Sequence, residues 1–417
     1  MNKSIQETLT LNIDHIGARG DGVSRDQDRA VHVPFTLPGE EVEANQRGDR
    51  AALVKVLQAS SERVEPVCGH FTVCGGCSLQ HWAEGPYLAW KAGLVERTLR
   101  RVGIDVALGP TQPAWGQGRR RATFHGKHAG PRFLFGFAQA KSHQIETITA
   151  CPVLTPGLNA ALPRLAALAE ALAPKQETID LLVTETPVGL DIDVRNAGRI
   201  EKFERKGLER LAALAEAGEI GRLTLHGQTA LTRVTPRVKM GQAIVELPAG
   251  AFLQATRAGE EALAARVLAW TLGRKHVADL FAGIGTFALR LKEKSLVRAI
   301  ESDAQAVAAM KKASDGLAGG KTLVAEARDL YRAPLAPLEM KGLDAIVFDP
   351  PRAGAEAQSA QIARSKIDLV VAISCDPASF ARDARILIDG GYRLAEIETF
   401  DQFRFTSHVE IAAKFVR

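Results

Sequence analysis

The chain has 417 residues, 46% hydrophobic and 24% charged, and its 53 Lys and Arg against 48 Asp and Glu give a formal net charge of +5. That length divides into two or three domains, and the composition is that of a globular protein rather than a disordered, collagenous or disulfide-stapled one. Met1–Gln6 lacks the apolar stretch of a secretory signal and no segment reaches about eighteen uninterrupted apolar residues, so the cytoplasm is expected and a membrane span is not.

Residues 1–58 alternate apolar and polar positions in short runs, such as Thr8-Leu9-Thr10-Leu11-Asn12-Ile13 and Glu41-Val42-Glu43-Ala44, broken at Gly20-Asp21-Gly22 and Pro38-Gly39. This spacing predicts a small OB-like β-barrel, a shape often used to hold single-stranded nucleic acid. Residues 59–250 read as a mixed α+β segment. It opens on Cys68-Gly-His-Phe-Thr-Val-Cys74-Gly-Gly-Cys77 and continues into an amphipathic helix over Tyr87–Val102. Strands follow near Ala122–His125, Leu134–Ala138, Ile145–Thr149, Ile179–Val183 and Gly189–Val194. Two Ala/Leu-rich helices are expected at Leu158–Ala173 and Ile200–Ala217. Between Lys91 and Lys141 ten basic residues face two acids, Glu96 and Asp105. Such an excess, with Arg119-Arg120-Arg121 at its centre, is enough to hold several phosphates.

From residue 251 to 417 strands and helices alternate, the mark of a parallel sheet covered on both faces. The strands expected are His276–Phe281, Val297–Glu301, Ala345–Asp349 and Leu369–Ser374. The helices are Thr286–Lys294, Ala304–Ala313, Gln358–Arg364 and Pro377–Asp389.

Three motifs carry chemistry at the ends of these strands. In Asp279-Leu280-Phe281-Ala282-Gly283-Ile284-Gly285-Thr286 two glycines let the backbone approach a ligand at a helix start. The third glycine of a dinucleotide site is missing, which disfavours a nicotinamide-dependent dehydrogenase. An acid before the turn, and Glu301 at the next strand end, suit a cationic ligand with ribose hydroxyls. Asp349-Pro350-Pro351-Arg352 holds a carboxylate rigidly at a strand's carboxyl end. Ser374-Cys375-Asp376-Pro377 places a solitary thiol in the same way, a candidate nucleophile. In His408-Val409-Glu410, Glu410 is flanked by apolar residues, which desolvates a carboxylate and favours proton acceptance. The remaining cysteines, Cys68, Cys74, Cys77 and Cys151, form a four-thiolate set; spacing alone allows a zinc ion or an iron–sulfur cluster.

With these motifs in this order the chain resembles the RNA 5-methyluridine methyltransferases, especially the iron–sulfur-containing enzymes of bacterial 23S ribosomal RNA. The resemblance implies an α/β Rossmann-like class I methyltransferase domain, an α+β central domain and an N-terminal TRAM-like barrel. It implies transfer of a methyl group from S-adenosylmethionine to C5 of a uridine through a covalent bond between Cys375 and C6. In that scheme Glu410 removes the C5 proton and Asp349 engages the uracil. The donor would be held by Gln254, Phe281, Thr286, Glu301, Asp329 and Asp349, and a [4Fe-4S] cluster of structural role by Cys68, Cys74, Cys77 and Cys151. The sequence departs from the family pattern at Ala282, often Cys, at Thr286, more commonly Asn, and at Asp376, frequently Asn. RNA is the implied partner, with no membrane and no obligate protein partner. The same chemistry on transfer RNA is one alternative, and a non-catalytic RNA-binding assembly factor is another.

Overall fold

The computed structural model describes residues 7–26, 29–173, 177–197, 212–213, 216 and 219–417. The alternating first segment forms six strands, β1 (Glu7–Asn12), β2 (His15–Ile16), β3 (Gly22–Asp26), β4 (Arg29–Val33), β5 (Glu41–Arg47) and β6 (Arg50–Gln58). They pair in the order β1-β5-β6-β4-β3-β2. One side of this sheet closes over Leu11, Ile13, Val31, Val33, Val42 and Ala44, as the period-two pattern requires.

Helix α1 (Glu84–Arg101) follows the cysteine-rich loop and is a wedge with two apolar faces. Tyr87, Leu88, Trp90 and Leu94 pack on Ile16 and Leu37 of the first sheet and its loops. Val95 and Leu99 pack into the core under the last sheet. After α1, the short strand β7 (Gln112–Pro113) joins the edge of that last sheet rather than the one that follows it in sequence.

Next come β8 (Arg121–Ala129), β9 (Arg132–Ala138), β10 (Ile145–Thr147), α2 (Pro156–Leu172), β11 (Ile179–Thr186), β12 (Gly189–Arg195), β13 (Ile220–Leu225) and β14 (Gln228–Thr232). They build a seven-stranded sheet ordered β10-β9-β8-β11-β12-β13-β14. Thr155 caps α2 by accepting the Leu158 N–H, and the helix buries Leu158, Leu162, Leu165 and Leu168 on the sheet. The helix expected at Ile200–Ala217 falls almost wholly outside the described residues. A two-stranded ribbon, β15 (Arg237–Met240) and β16 (Ala243–Glu246), leads into the last unit.

That unit contains α3 (Arg257–Trp270), β17 (His276–Leu280), α4 (Ala288–Leu291), β18 (Leu296–Glu301), α5 (Ala304–Asp315), β19 (Leu323–Ala327), β20 (Ala345–Phe348), α6 (Glu356–Ala363), β21 (Leu369–Ser374), α7 (Pro377–Asp389), β22 (Arg393–Asp401) and β23 (Glu410–Val416). The sheet runs β19-β18-β17-β20-β21-β23-β22-β7. Its first five strands are parallel and β23 is antiparallel to both neighbours. Chain order reverses on either side of β17, so the crevice at the carboxyl ends of β17 and β20 is the topological switch point, where open α/β sheets bind ligands. The expected α/β sheet is present. The helix expected over Thr286–Lys294 is reduced to α4, the rest being turn. Asp376 caps α7 by accepting the N–H groups of Ala378 and Ser379, with Pro377 in the first turn.

The basic stretch is not uniformly a surface. Arg97, Arg100, Arg101, Lys127, Arg132 and Lys141 are exposed, and Arg119–Arg121 are half-buried. Lys91 is fully enclosed, with Nζ donating to Asp401 Oδ1 at 2.6 Å, while the Tyr87 hydroxyl donates to Asp401 Oδ2 at 2.7 Å. Lys91 therefore cannot meet a phosphate, and its work is to fasten α1 to the end of β22. Lys91→Met should destabilise the protein by about 3–5 kcal/mol, because it strands a buried carboxylate. Calorimetric unfolding checks this, and an unchanged midpoint would refute the structural assignment.

Candidate active site and four-cysteine cavity

The strand register decides which side chains meet. Ser374 lies opposite Ile411 in the antiparallel pair β21–β23, so Cys375, one residue on, faces the start of β23, where Glu410 sits. Phe400 lies opposite Glu410 in β22–β23, which brings Gln402, just beyond β22, to the same edge. Asp349 emerges from β20 beside them. Sequence positions more than sixty apart thus converge at one end of the sheet.

The electrostatics report the same proximity. Burial pushes the Glu410 carboxyl up to about 8, and the Asp349 charge adds to it. Crowding by protein raises Asp349 to about 7. Cys375 is lifted to about 12, chiefly by burial and then by Glu410 and Asp349, with Arg352 opposing. Without a cationic ligand, then, the crevice disfavours negative charge on all three groups. Hydrogen bonds run through it outward from Gln402 to the two carboxyl groups. Gln402 Nε2 donates to Glu410 Oε1 at 2.8 Å and to Gln254 Oε1 at 2.7 Å, and Gln254 Nε2 donates to Asp349 Oδ2 at 3.0 Å. At the rim the Arg352 guanidinium lies 3.3 Å from His408 Nε2; burial and then Arg352 lower that imidazole to about 4.

Along the crevice, Phe281 takes φ +60°, a strained value for a non-glycine residue, and its ring meets Tyr331 at 5.6 Å between centroids. Gly283 has φ +55° and faces open space, and a Cβ on Gly285 would come within 2.9 Å of Leu289 and Met310. The turn therefore needs both glycines. Glu301 Oε2 accepts the Gly283 N–H at 2.9 Å, and its Oε1 accepts those of Ser302 and Asp303. Asp329, past β19, accepts the Tyr331 N–H. Thr286 contributes only its carbonyl, to Arg290. The Gln254 amide is committed to Asp349 and Gln402. Asp279 is fully buried with neither carboxyl oxygen partnered, and burial holds it well above the ordinary carboxylate range. Glu301, half-buried at the same turn, is the carboxylate that accepts its backbone N–H groups.

The four-cysteine set is brought together as well. Cys68, Cys74, Cys77 and Cys151 line one cavity of about 280 Å³. The loop is zipped to β9 by Gly75 N–H donating to Ala138 O at 2.9 Å, and His70 Nδ1 lies 3.0 Å from Glu146 Oε1. Among the described residues no three His, Cys, Asp or Glu side chains are gathered as one ion requires. The same loop grips the approach to β23, because Ser78 and Leu79 both donate their N–H to Phe405 O, at 2.9 and 3.1 Å.

A family model described as tRNA (Uracil-5-)-methyltransferase matches residues 319–416. An RNA methyltransferase of Caulobacter vibrioides is 44% identical, with 98% of this chain and 99% of that protein covered. The 23S rRNA (uracil(1939)-C(5))-methyltransferase RlmD of Vibrio vulnificus is 30% identical, with 98% and 96% covered. The chain belongs to the RNA (uracil-5-)-methyltransferase family. The solved Pyrococcus abyssi tRNA (uracil-54, C5)-methyltransferase, in complex with S-adenosyl-L-homocysteine, shares the fold at a TM-score of 0.75 and 22% identity, with 98% of this chain and 99% of that one covered.

The protein is thus a class I, S-adenosylmethionine-dependent RNA uracil-5-methyltransferase, and no described helix is long and apolar enough to cross a membrane. Sequence reading did not single out Gln402, Tyr331 or the Lys91–Asp401 pair in this methyltransferase. Gln402 and Asp401 lie in Asp401-Gln402-Phe403, eight or nine residues before Glu410, and position beyond a strand end was the one available signal.

Proposed function

We propose that this methyltransferase modifies C5 of a uridine in 23S ribosomal RNA through a covalent intermediate on Cys375. The observation that supports it is the register-enforced meeting of Cys375, Glu410 and Asp349 at the switch point. Uracil C5 is a weak nucleophile. Once deprotonated, the Cys375 sulfur adds to C6, and the electron pair of the C5–C6 double bond moves towards O4. C5 then takes the methyl group from the sulfonium of S-adenosylmethionine, releasing S-adenosylhomocysteine. Glu410 accepts the C5 proton, the double bond re-forms and the Cys375 thiolate leaves. Asp349 faces the pyrimidine edge. A sulfonium in the crevice offsets the anionic crowding that keeps the thiol protonated in its absence.

Phe281, Thr286, Glu301 and Asp329, at the carboxyl ends of β17, β18 and β19, are assigned to the donor, with Gln254 and Asp349 at its methyl end. Glu301 would accept the ribose hydroxyls and the Phe281–Tyr331 pair would border the adenine. Residues 1–58 are read as a TRAM-like RNA-holding barrel, 59–250 as the central domain and 251–417 as the methyltransferase domain, in a cytoplasmic protein.

The four cysteines fit a [4Fe-4S] cluster. They line one cavity, where four thiolates would hold the cluster. Their role is structural, since methyl transfer moves no electrons. Anaerobically purified protein should be brown, with broad absorption near the visible–ultraviolet boundary that Cys77→Ser abolishes; colourless, zinc-loaded protein would overturn the assignment. Ribosomal over transfer RNA is favoured by the four-cysteine cavity and the 30% identity to a 23S rRNA enzyme. Mapping 5-methyluridine in total RNA from cells lacking the protein should reveal a lost 23S site; loss confined to transfer RNA would replace this reading.

A further inference from the structure

We infer that Gln402 is a positioning residue that fixes the Glu410 carboxylate in its proton-accepting orientation and ties it to the donor-side pair Gln254–Asp349. This rests on Glu410 acting as the base.

Gln402 is 1% exposed and Glu410 3%, so water does not substitute for either partner. Both Gln402 N–H groups are committed, one to Glu410 Oε1 at 2.8 Å and one to Gln254 Oε1 at 2.7 Å. Its own Oε1 faces the Thr256 N–H at 3.4 Å, which sets the amide this way round. An NH₂ group donates and cannot accept, so the contact orients the carboxylate through Oε1 and leaves Oε2 the freer oxygen to receive a proton. Gln254 is oriented by the same contact, since accepting at Oε1 leaves its NH₂ to Asp349.

The other groups around Glu410 do not duplicate this. Asp349 and Cys375 raise the cost of its charge or share its burial, while Arg352 and Lys91 favour its charge from further off. Lys91 is spent on Asp401, and His408 is held near its neutral form by burial and Arg352. Gln402 is the direct donor that favours ionised Glu410 without adding charge of its own. Loss of a hydrogen bond to a charged group shifts the acceptor's ionisation by about one to two pH units.

The experiment compares wild type, Gln402→Met and Glu410→Gln in single turnover from pH 6 to 10 on a uridine-containing RNA hairpin, with adducts read on denaturing gels. Gln402→Met removes the donor at nearly constant volume. Its acid limb should move up by about one to two units, methylated adduct should accumulate at pH 7, and the rate should recover near pH 10. Affinity for S-adenosylhomocysteine should stay within about threefold. A profile superimposed on wild type, or a loss equal at every pH, would overturn the inference. If Gln402→Met fails to fold, Gln402→Glu serves instead. Its charge beside Glu410 should move the limb further up, and an unmoved limb is equally fatal. Glu410→Gln separates the two readings. Adduct accumulating in Glu410→Gln but not in the Gln402 variants sinks only the positioning role, whereas none in Glu410→Gln sinks the base assignment and this inference together.

Discussion

Cys375→Ala is expected to lower methyl transfer by about 10⁴-fold or more, the scale at which removal of a covalent nucleophile acts. Binding of RNA should hold within about threefold, since Cys375 occupies a strand end inside the crevice and is half-buried. Filter binding and single-turnover methylation on one preparation separate the two effects. The variant should also give no protein–RNA adduct with 5-fluorouridine RNA, whose C5 fluorine prevents the final elimination. Residual activity within about tenfold of wild type would mean that another group adds to C6, and no other cysteine faces this crevice among the described residues.

Glu410→Gln should slow turnover by about 10²–10⁴-fold, the usual contribution of a general base, and leave methylated RNA attached to Cys375. In wild type the rate should climb as pH passes through about 8, where burial and Asp349 place Glu410 ionisation. The same shift predicts a stability effect of opposite sense. The folded state holds a proton on Glu410 that the unfolded chain gives up at an ordinary carboxylate pKa. Stability from this proton is complete in acid and drains away as pH rises through about 8. Glu410→Gln has no charge to desolvate, so it should raise stability near pH 8–9 by on the order of 2 kcal/mol. The difference from wild type should close towards pH 4–5. Equal unfolding midpoints at pH 8.5 would show that the carboxyl is not held in an apolar site.

Four of the five parallel strands were legible as apolar runs, most plainly Ala345–Phe348 and Leu369–Ser374, which are buried along their whole length; the edge strand β19, half-buried or exposed throughout and carrying Glu326, was not. Their carboxyl ends followed, and with them Glu301, Asp349 and Cys375. Helix α3 was not legible. Its buried face carries Glu260, which is satisfied by Arg120 and Arg290 from other elements, so the apolar stripe is interrupted. Lys91 misled, because a lysine in a basic run reads as solvated, and its partner Asp401 is 310 residues away. Gln402 carried no chemical signal beyond its place past a strand end, since amides mark no particular chemistry. Its importance comes from register, which exists only once β22 and β23 have paired.

The placement of α1 and β7 bears on how this enzyme can be made and divided. The flank of the methyl-transferring layer is completed by a segment synthesised some three hundred residues before its final strand. A fragment starting near residue 251 would present a bare seam where Val95 and Leu99 should lie, and would be prone to stick to itself. On the ribosome, the early helix must wait with that side uncovered until nearly the whole polypeptide has emerged.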